Sequence, residues 1–186
     1  EGERIYQEKM SWELGQEIMQ AIWEREGCEI LLSGVNTSYL QPKKMSYYYH
    51  MKDVVKNNVT LVPDIFKVQE DYMKISVYEE AGIENSAAYW RERFGGEVTV
   101  VTSGNEWLDM MPKGVNKGLG LRKIMEFLDI APDECMALGD NYNDLEMLEL
   151  AGYPVAMKNA VPEVKKVCRY ETDTVEHVLE ALLTRL

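Results

Sequence analysis

Basic residues are scarce beside acidic ones. Twenty Lys and Arg stand against 32 Asp and Glu, giving a net charge of −12. That balance excludes binding led by the phosphate backbone of nucleic acid, which needs a basic surface. It leaves room for a locally positive pocket and a small phosphorylated ligand. No run approaches the roughly 18 consecutive apolar residues of a membrane span, and no signal-peptide pattern opens the sequence. Cysteine is rare: Cys28, Cys135 and Cys168 lie far apart with no CxxC or metal-ligand spacing, which predicts reduced, buried thiols in a cytoplasmic protein. Histidine is rarer still. His50 and His177 stand alone, without ligand spacing, and a structural or surface role is expected for both. There is no internal repeat or low-complexity tract. Apolar residues are plentiful, 46% of 186, enough for a sizeable core in one domain or two small ones.

Periodicity divides the chain in two. "SWELGQEIMQAIWEREG" predicts a helix with Ser11 as N-cap, Leu14, Ile18, Ala21 and Ile22 on one face, and Gly27 as a stop. "CEILLSGV" and "TSYLQP" read as a hairpin, and 43–66 as one short helix with loops. A strand over 72–79, a helix with Ala87, Trp90 and Phe94 inward, and two strands in 97–112 follow. This stretch has the grammar of an α+β unit. After Pro112, strands alternate with helices, which implies a parallel sheet covered by helices. The predicted helices there carry Leu121, Ile124, Met125 and Leu128 on one face, and Val175, Val178, Leu179, Leu182 and Leu186 on another.

Chemistry concentrates in "GDNYND", residues 139–144, between the apolar run 135–138 and a predicted helix. Open parallel sheets bind ligands at the carboxyl ends of their strands. Asp140 lies at such an end, where a carboxylate reaches a hard cation such as Mg²⁺. Asn143-x-x-Glu146 reads as a capping box and Asp144 suits the first turn, so both also have a purely structural reading.

"LGDNYNDLEMLELAGYPVAMKNAVPEVK" closely resembles the C-terminal signature of the haloacid-dehalogenase-like (HAD) phosphatases of the Cof-type branch: GD-x-x-ND, a helix, Ala-Gly, a strand ending Val-Ala-Met, then Asn-Ala. "MPKGVNKGLGL" (111–121) resembles the segment that carries the family lysine. The resemblance is strong over 107–186 and compatible over 1–106. It implies an α/β fold: a partial Rossmann-like core over 1–19 and 107–186, and an inserted α+β cap over 20–106 that selects the substrate. It implies a Mg²⁺-dependent phosphomonoester hydrolase acting through an aspartyl-phosphate on a sugar phosphate or other small phosphorylated metabolite. Lys117 matches the lysine that contacts phosphate and nucleophile, Asp140 the metal-binding acid, Asn143 a residue hydrogen-bonding near the phosphate, and Asp144 a supporting acid. Asn159 falls at the rim.

One family element is missing. The nucleophile is the first Asp of an Asp-x-Asp-Gly pattern, and no Asp-x-Asp occurs in the sequence. "ETDT" (171–174) reads instead as a cap, Asp173-x-x-Glu176. With Glu1-Gly2 at its start, the chain is expected to be the C-terminal portion of such a phosphatase, inactive alone. The strand carrying Asp140 then becomes an open edge, and the chain is expected to pair with itself through it, to bind the missing piece or to be unstable. The alternative is a non-catalytic phosphate- or metal-binding or interaction module. Tyr47-Tyr48-Tyr49 and Trp107 could line a sugar-sized pocket, and core packing is their ordinary role.

Overall fold

The structure is a computed structural model that describes residues 4–184. The chain forms two compact units, residues 8–114 and residues 1–7 with 115–186.

The 8–114 unit opens with helix α1 (Trp12–Glu24), capped by Ser11 Oγ accepting from Leu14 N–H at 3.2 Å as expected. Strands β1 (Cys28–Ser33) and β2 (Ser38–Leu40) make the expected antiparallel pair. Helix α2 (Met45–Tyr49) runs into a π-helical turn (His50–Val54), and β3 (Val59–Leu61) lies parallel to β2. Residues 59–61 were expected in a loop; three residues with two exposed side chains give too short a pattern to read. Then come β4 (Lys74–Glu79), α3 (Ala87–Phe94), β5 (Val98–Thr102) and β6 (Trp107–Pro112). The sheet order is β3-β2-β1-β4-β6-β5. Alternation decides the faces. Ile30, Leu32, Ile75, Val77, Leu108 and Met110 point to one side, where Ile18, Ile22, Trp90 and Phe94 of α1 and α3 cover them. Leu31, Leu40 and Tyr78 point to the other, under Tyr47 and Met51.

This packing sets the unit's limits. Ile18, Met19 and Ile22 are fully buried in the same core as β1 and β4, and β6 pairs with both β4 and β5. Residues 8–19 and 107–114 therefore belong to the same compact unit as 20–106.

The second unit contains α4 (Lys117–Leu128), β7 (Met136–Gly139), α5 (Leu145–Leu150), β8 (Tyr153–Met157), α6 (Pro162–Val167), β9 (Tyr170–Thr172) and α7 (Val175–Leu183). Its sheet, ordered β7-β8-β9, is all parallel, with Gly139 opposite Ala156 and Ala156 opposite Glu171. Ala137 and Ala156 pack under Leu148 and Val164 of α5 and α6. The opposite face, with Met136, Val155 and Tyr170, borders a groove of about 630 Å³ flanked by Val178 and Leu182 of α7. Among the described residues β7 pairs only with β8, so its outer edge carries no partner strand.

Two helical stripes differ from their expected burial. Met125 is buried in α4, but Ile124 and Leu128 are exposed, and α7 buries none of its residues. Leu186 lies outside the described residues. The cap of α7 is Thr174, whose Oγ1 accepts from His177 N–H at 3.2 Å, rather than Asp173. Asp173 pairs instead with His177 Nδ1 at 2.6 Å.

Candidate functional site

Everything at the site hangs on the end of β7. Gly139 closes the strand because a Cβ there would sit 2.6 Å from Asp144 Cβ. Only glycine lets the following turn fold back so tightly. The turn Tyr142–Asp144 starts from Asn141, whose Oδ1 accepts from Tyr142 N–H at 2.8 Å. Asp144 reciprocates: its Oδ2 accepts from Asn141 N–H at 3.1 Å and from Asp140 N–H at 2.9 Å. The capping box is therefore Asn141-x-x-Asp144, not Asn143-x-x-Glu146, and it starts two residues earlier than the sequence suggested. Asn141 was missed. Its signal is the same Asx spacing, obscured by the more familiar pattern beside it.

Asp144 is only 3% exposed. Its other oxygen, Oδ1, accepts from Lys117 Nζ. Burial pushes this carboxyl up, but the Lys117 hydrogen bond and the two backbone N–H groups outweigh burial and hold it below the usual carboxylate range. Lys117 is the first residue of α4, behind Asn116, whose Oδ1 accepts from Leu119 N–H at 2.7 Å. The helix reaches that position because Gly118 lets it approach α5; a Cβ there would meet the Glu146 carbonyl carbon and oxygen at 2.8 Å.

Asp140 is exposed at the strand end. Its carbonyl accepts from Val161 N–H at 2.9 Å, and its Oδ2 from Asn159 Nδ2 at 3.3 Å. Oδ1 has no protein partner among the described residues. The half-buried Asn143 side chain also makes no hydrogen bond among them. The structure thus joins Lys117 to Asp144 and Asn159 to Asp140, and leaves Asn143 unattached nearby in sequence. Beside this, Tyr142 donates to Glu163 Oε2 at 3.1 Å, a rim contact not anticipated from the sequence.

The arrangement offers one free carboxylate oxygen, one free carboxamide and one ammonium at a strand end. No group of three His, Cys, Asp or Glu residues converges among the described residues. Hard oxygen donors of this kind fit Mg²⁺ held by a single carboxylate, with its other positions going to water and phosphate oxygens. Asp140 would hold it. Asp144 is committed to Lys117 and the turn.

Comparison with known proteins gives a consistent result. Residues 1–182 match the profile of the haloacid dehalogenase-like hydrolases. The HMP-PP phosphatase of Yersinia pestis is 36% identical over 104 residues, covering 52% of this chain and 38% of that protein. The chloroplastic endoribonuclease YBEY of Arabidopsis thaliana is 40% identical over 79 residues, covering 42% of this chain and 14% of that protein. The chain thus spans well under half of these two relatives. A haloacid dehalogenase-like hydrolase from Bacteroides thetaiotaomicron shares the fold with a TM-score of 0.79 at 24% identity, over 95% of this chain and 69% of that one.

Proposed function

The chain belongs to the haloacid dehalogenase-like hydrolases, and from that premise we propose that it supplies half of a Mg²⁺-dependent phosphomonoester hydrolase site. The observation that carries this is the Lys117–Asp144 pair fixed beside the exposed Asp140 at the end of a parallel strand. Asp144 holds Lys117 in place through their ion pair. Its ammonium neutralises charge on a phosphoryl group in flight. Asn159 orients Asp140, and Asn143 donates its free carboxamide to a phosphate oxygen. Mg²⁺ bound at Asp140 would add charge stabilisation on the phosphoryl oxygens. The substrate class is a sugar phosphate or another small phosphorylated metabolite, and the 8–114 unit takes the role of substrate-selecting cap. A cytoplasmic setting suits the three unpaired thiols.

No carboxylate nucleophile in Asp-x-Asp context is present in the sequence. The chain alone is therefore inactive, because an aspartyl-phosphate has nowhere to form. The same absence favours a second reading, a module that binds phosphate or metal without turnover.

The gene upstream of Glu1 and an assay decide between them. The first reading expects Asp-x-Asp-Gly upstream, and phosphate release from sugar phosphates by the longer chain that Lys117→Ala abolishes. A longer chain that binds phosphate but never turns over supports the second reading. Turnover by the present chain, lost in Lys117→Ala, overturns its inactivity.

A further inference from the structure

Asn159 meets Asp140 through an exposed contact. Its Nδ2 donates to Asp140 Oδ2 at 3.3 Å, and both residues face solvent. A bond of that length between exposed side chains has little hold of its own, because water competes for both groups and two rotamers must be ordered. The contact depends on the backbone bringing Asn159 to the right place. That backbone is the tight loop 158–161, which follows β8 at the carboxyl end of the parallel sheet.

Main-chain bonds tie both ends of the loop. Lys158 N–H donates to the Thr172 carbonyl at 2.7 Å, Ala160 N–H to the Met157 carbonyl at 2.8 Å and Val161 N–H to the Asp140 carbonyl at 2.9 Å. None of these holds the peptide unit between Lys158 and Asn159, whose rigid plane sets the direction in which the Asn159 side chain leaves the loop. Lys165, in the last turn of α6, does hold it: its ammonium donates to the Lys158 carbonyl at 2.7 Å. The same ammonium pairs with Glu171 Oε2 on β9 at 3.2 Å. One side chain thus joins α6, the loop and β9. A lysine near a helix C-terminus ordinarily serves the last carbonyls of its own helix. Lys165 serves the loop instead, through a charge-assisted bond, the stronger kind.

We infer that Lys165 is a positioning residue for the Asp140 site: by gripping the Lys158 carbonyl it aims the Asn159 carboxamide at Asp140 Oδ2 and leaves Oδ1 open for a cation. The inference deepens, and rests on, the reading of Asp140 as the Mg²⁺-binding acid. Side-chain amide NMR of the full chain tests it without metal, with the Asn159 Nδ2 protons assigned by their loss in Asn159→Ala. Asp140→Ala should move these signals to the free-carboxamide position. Lys165→Met should move them the same way while the melting temperature holds, since an exposed ion pair adds little stability. Lys165→Arg keeps a charged donor and should restore them. Calorimetric titration with Mg²⁺ should then show binding about tenfold weaker in Lys165→Met than in wild type, the low end of the effect of groups that orient a metal ligand. Asn159 signals left in place by Lys165→Met, signals that Lys165→Met and Lys165→Arg disturb alike, or moved signals with unchanged Mg²⁺ affinity would each overturn the inference. A wild-type chain that binds no Mg²⁺ fails the phosphatase reading instead, and the Asn159 signals still decide the positioning.

Discussion

Asp144 stays ionised although only 3% of it is exposed, because two backbone N–H groups and Lys117 surround its carboxylate. Removing it leaves the N–H groups of Asp140 and Asn141 without their partner. Asp144→Ala should therefore cost about 1–3 kcal/mol in urea unfolding of the full chain, the penalty for unsatisfied buried donors. Lys117→Met should cost less than that, since its side chain is half exposed and solvent screens the pair. The depressed Asp144 carboxyl also sets a sign with pH. Its stabilisation is complete above the ordinary carboxylate range and is lost as pH falls through the lower folded value. His177 works in the opposite direction. Its hydrogen bond with Asp173 raises the imidazole above the ordinary histidine value. NMR titration should show His177 still protonated where a free imidazole has lost its proton, and Asp173→Asn should return it to the ordinary range. The same pKa in wild type and Asp173→Asn would discard that pair. At this scale the sequence misjudged the contacts of its polar residues. Asn141 and Thr174 do the capping expected of Asn143 and Asp173, because adjacent Asx and Thr residues compete for one helix start and only backbone geometry selects the winner.

Elements were more legible than caps. Alternation over 72–79 and the 3.6-residue spacing of Ile18, Ala21 and Ile22 made β4 and α1 readable, and the stretch 106–112 read as the strand that is β6. β3 was missed because its three residues show too little alternation, and its pairing with β2 is set by tertiary contact. Glycine makes the elements of the site testable. Gly139→Ala would force a Cβ to within 2.6 Å of Asp144 and should cost about 1–3 kcal/mol, as overpacking does. Gly96→Ala, with nothing within 4 Å of the added Cβ, should stay within about 0.5 kcal/mol of wild type, the range of ordinary surface changes. Equal thermal shifts for the two would mean that the strand end does not hold Asp144 as described.

For the whole molecule, the α/β class was readable because its two grammars, antiparallel then alternating, occupy different stretches of chain. The packing of α1 and β6 into the 8–114 unit rests on side-chain contacts and strand pairing that periodicity does not encode. Among the described residues the parallel sheet ends at β7 and at β9 with no further strand, and one apolar face lies beside the groove near α7, where Tyr153, Tyr170 and Leu179 are exposed. Parallel strands are ordinarily covered on both faces, and an unpaired edge templates further pairing. Sedimentation should therefore show concentration-dependent self-association, weakened by Leu138→Pro on the edge strand; a monomer at every concentration would contradict this. The central claim, however, concerns phosphate. Calorimetric titration of inorganic phosphate with Mg²⁺ into the wild-type chain and Lys117→Ala tests it most directly. The account predicts saturable binding that the substitution weakens roughly 10- to 100-fold, as loss of a hydrogen bond to a charged group implies. Identical binding by the two proteins, or no saturable binding by the wild type, would contradict it.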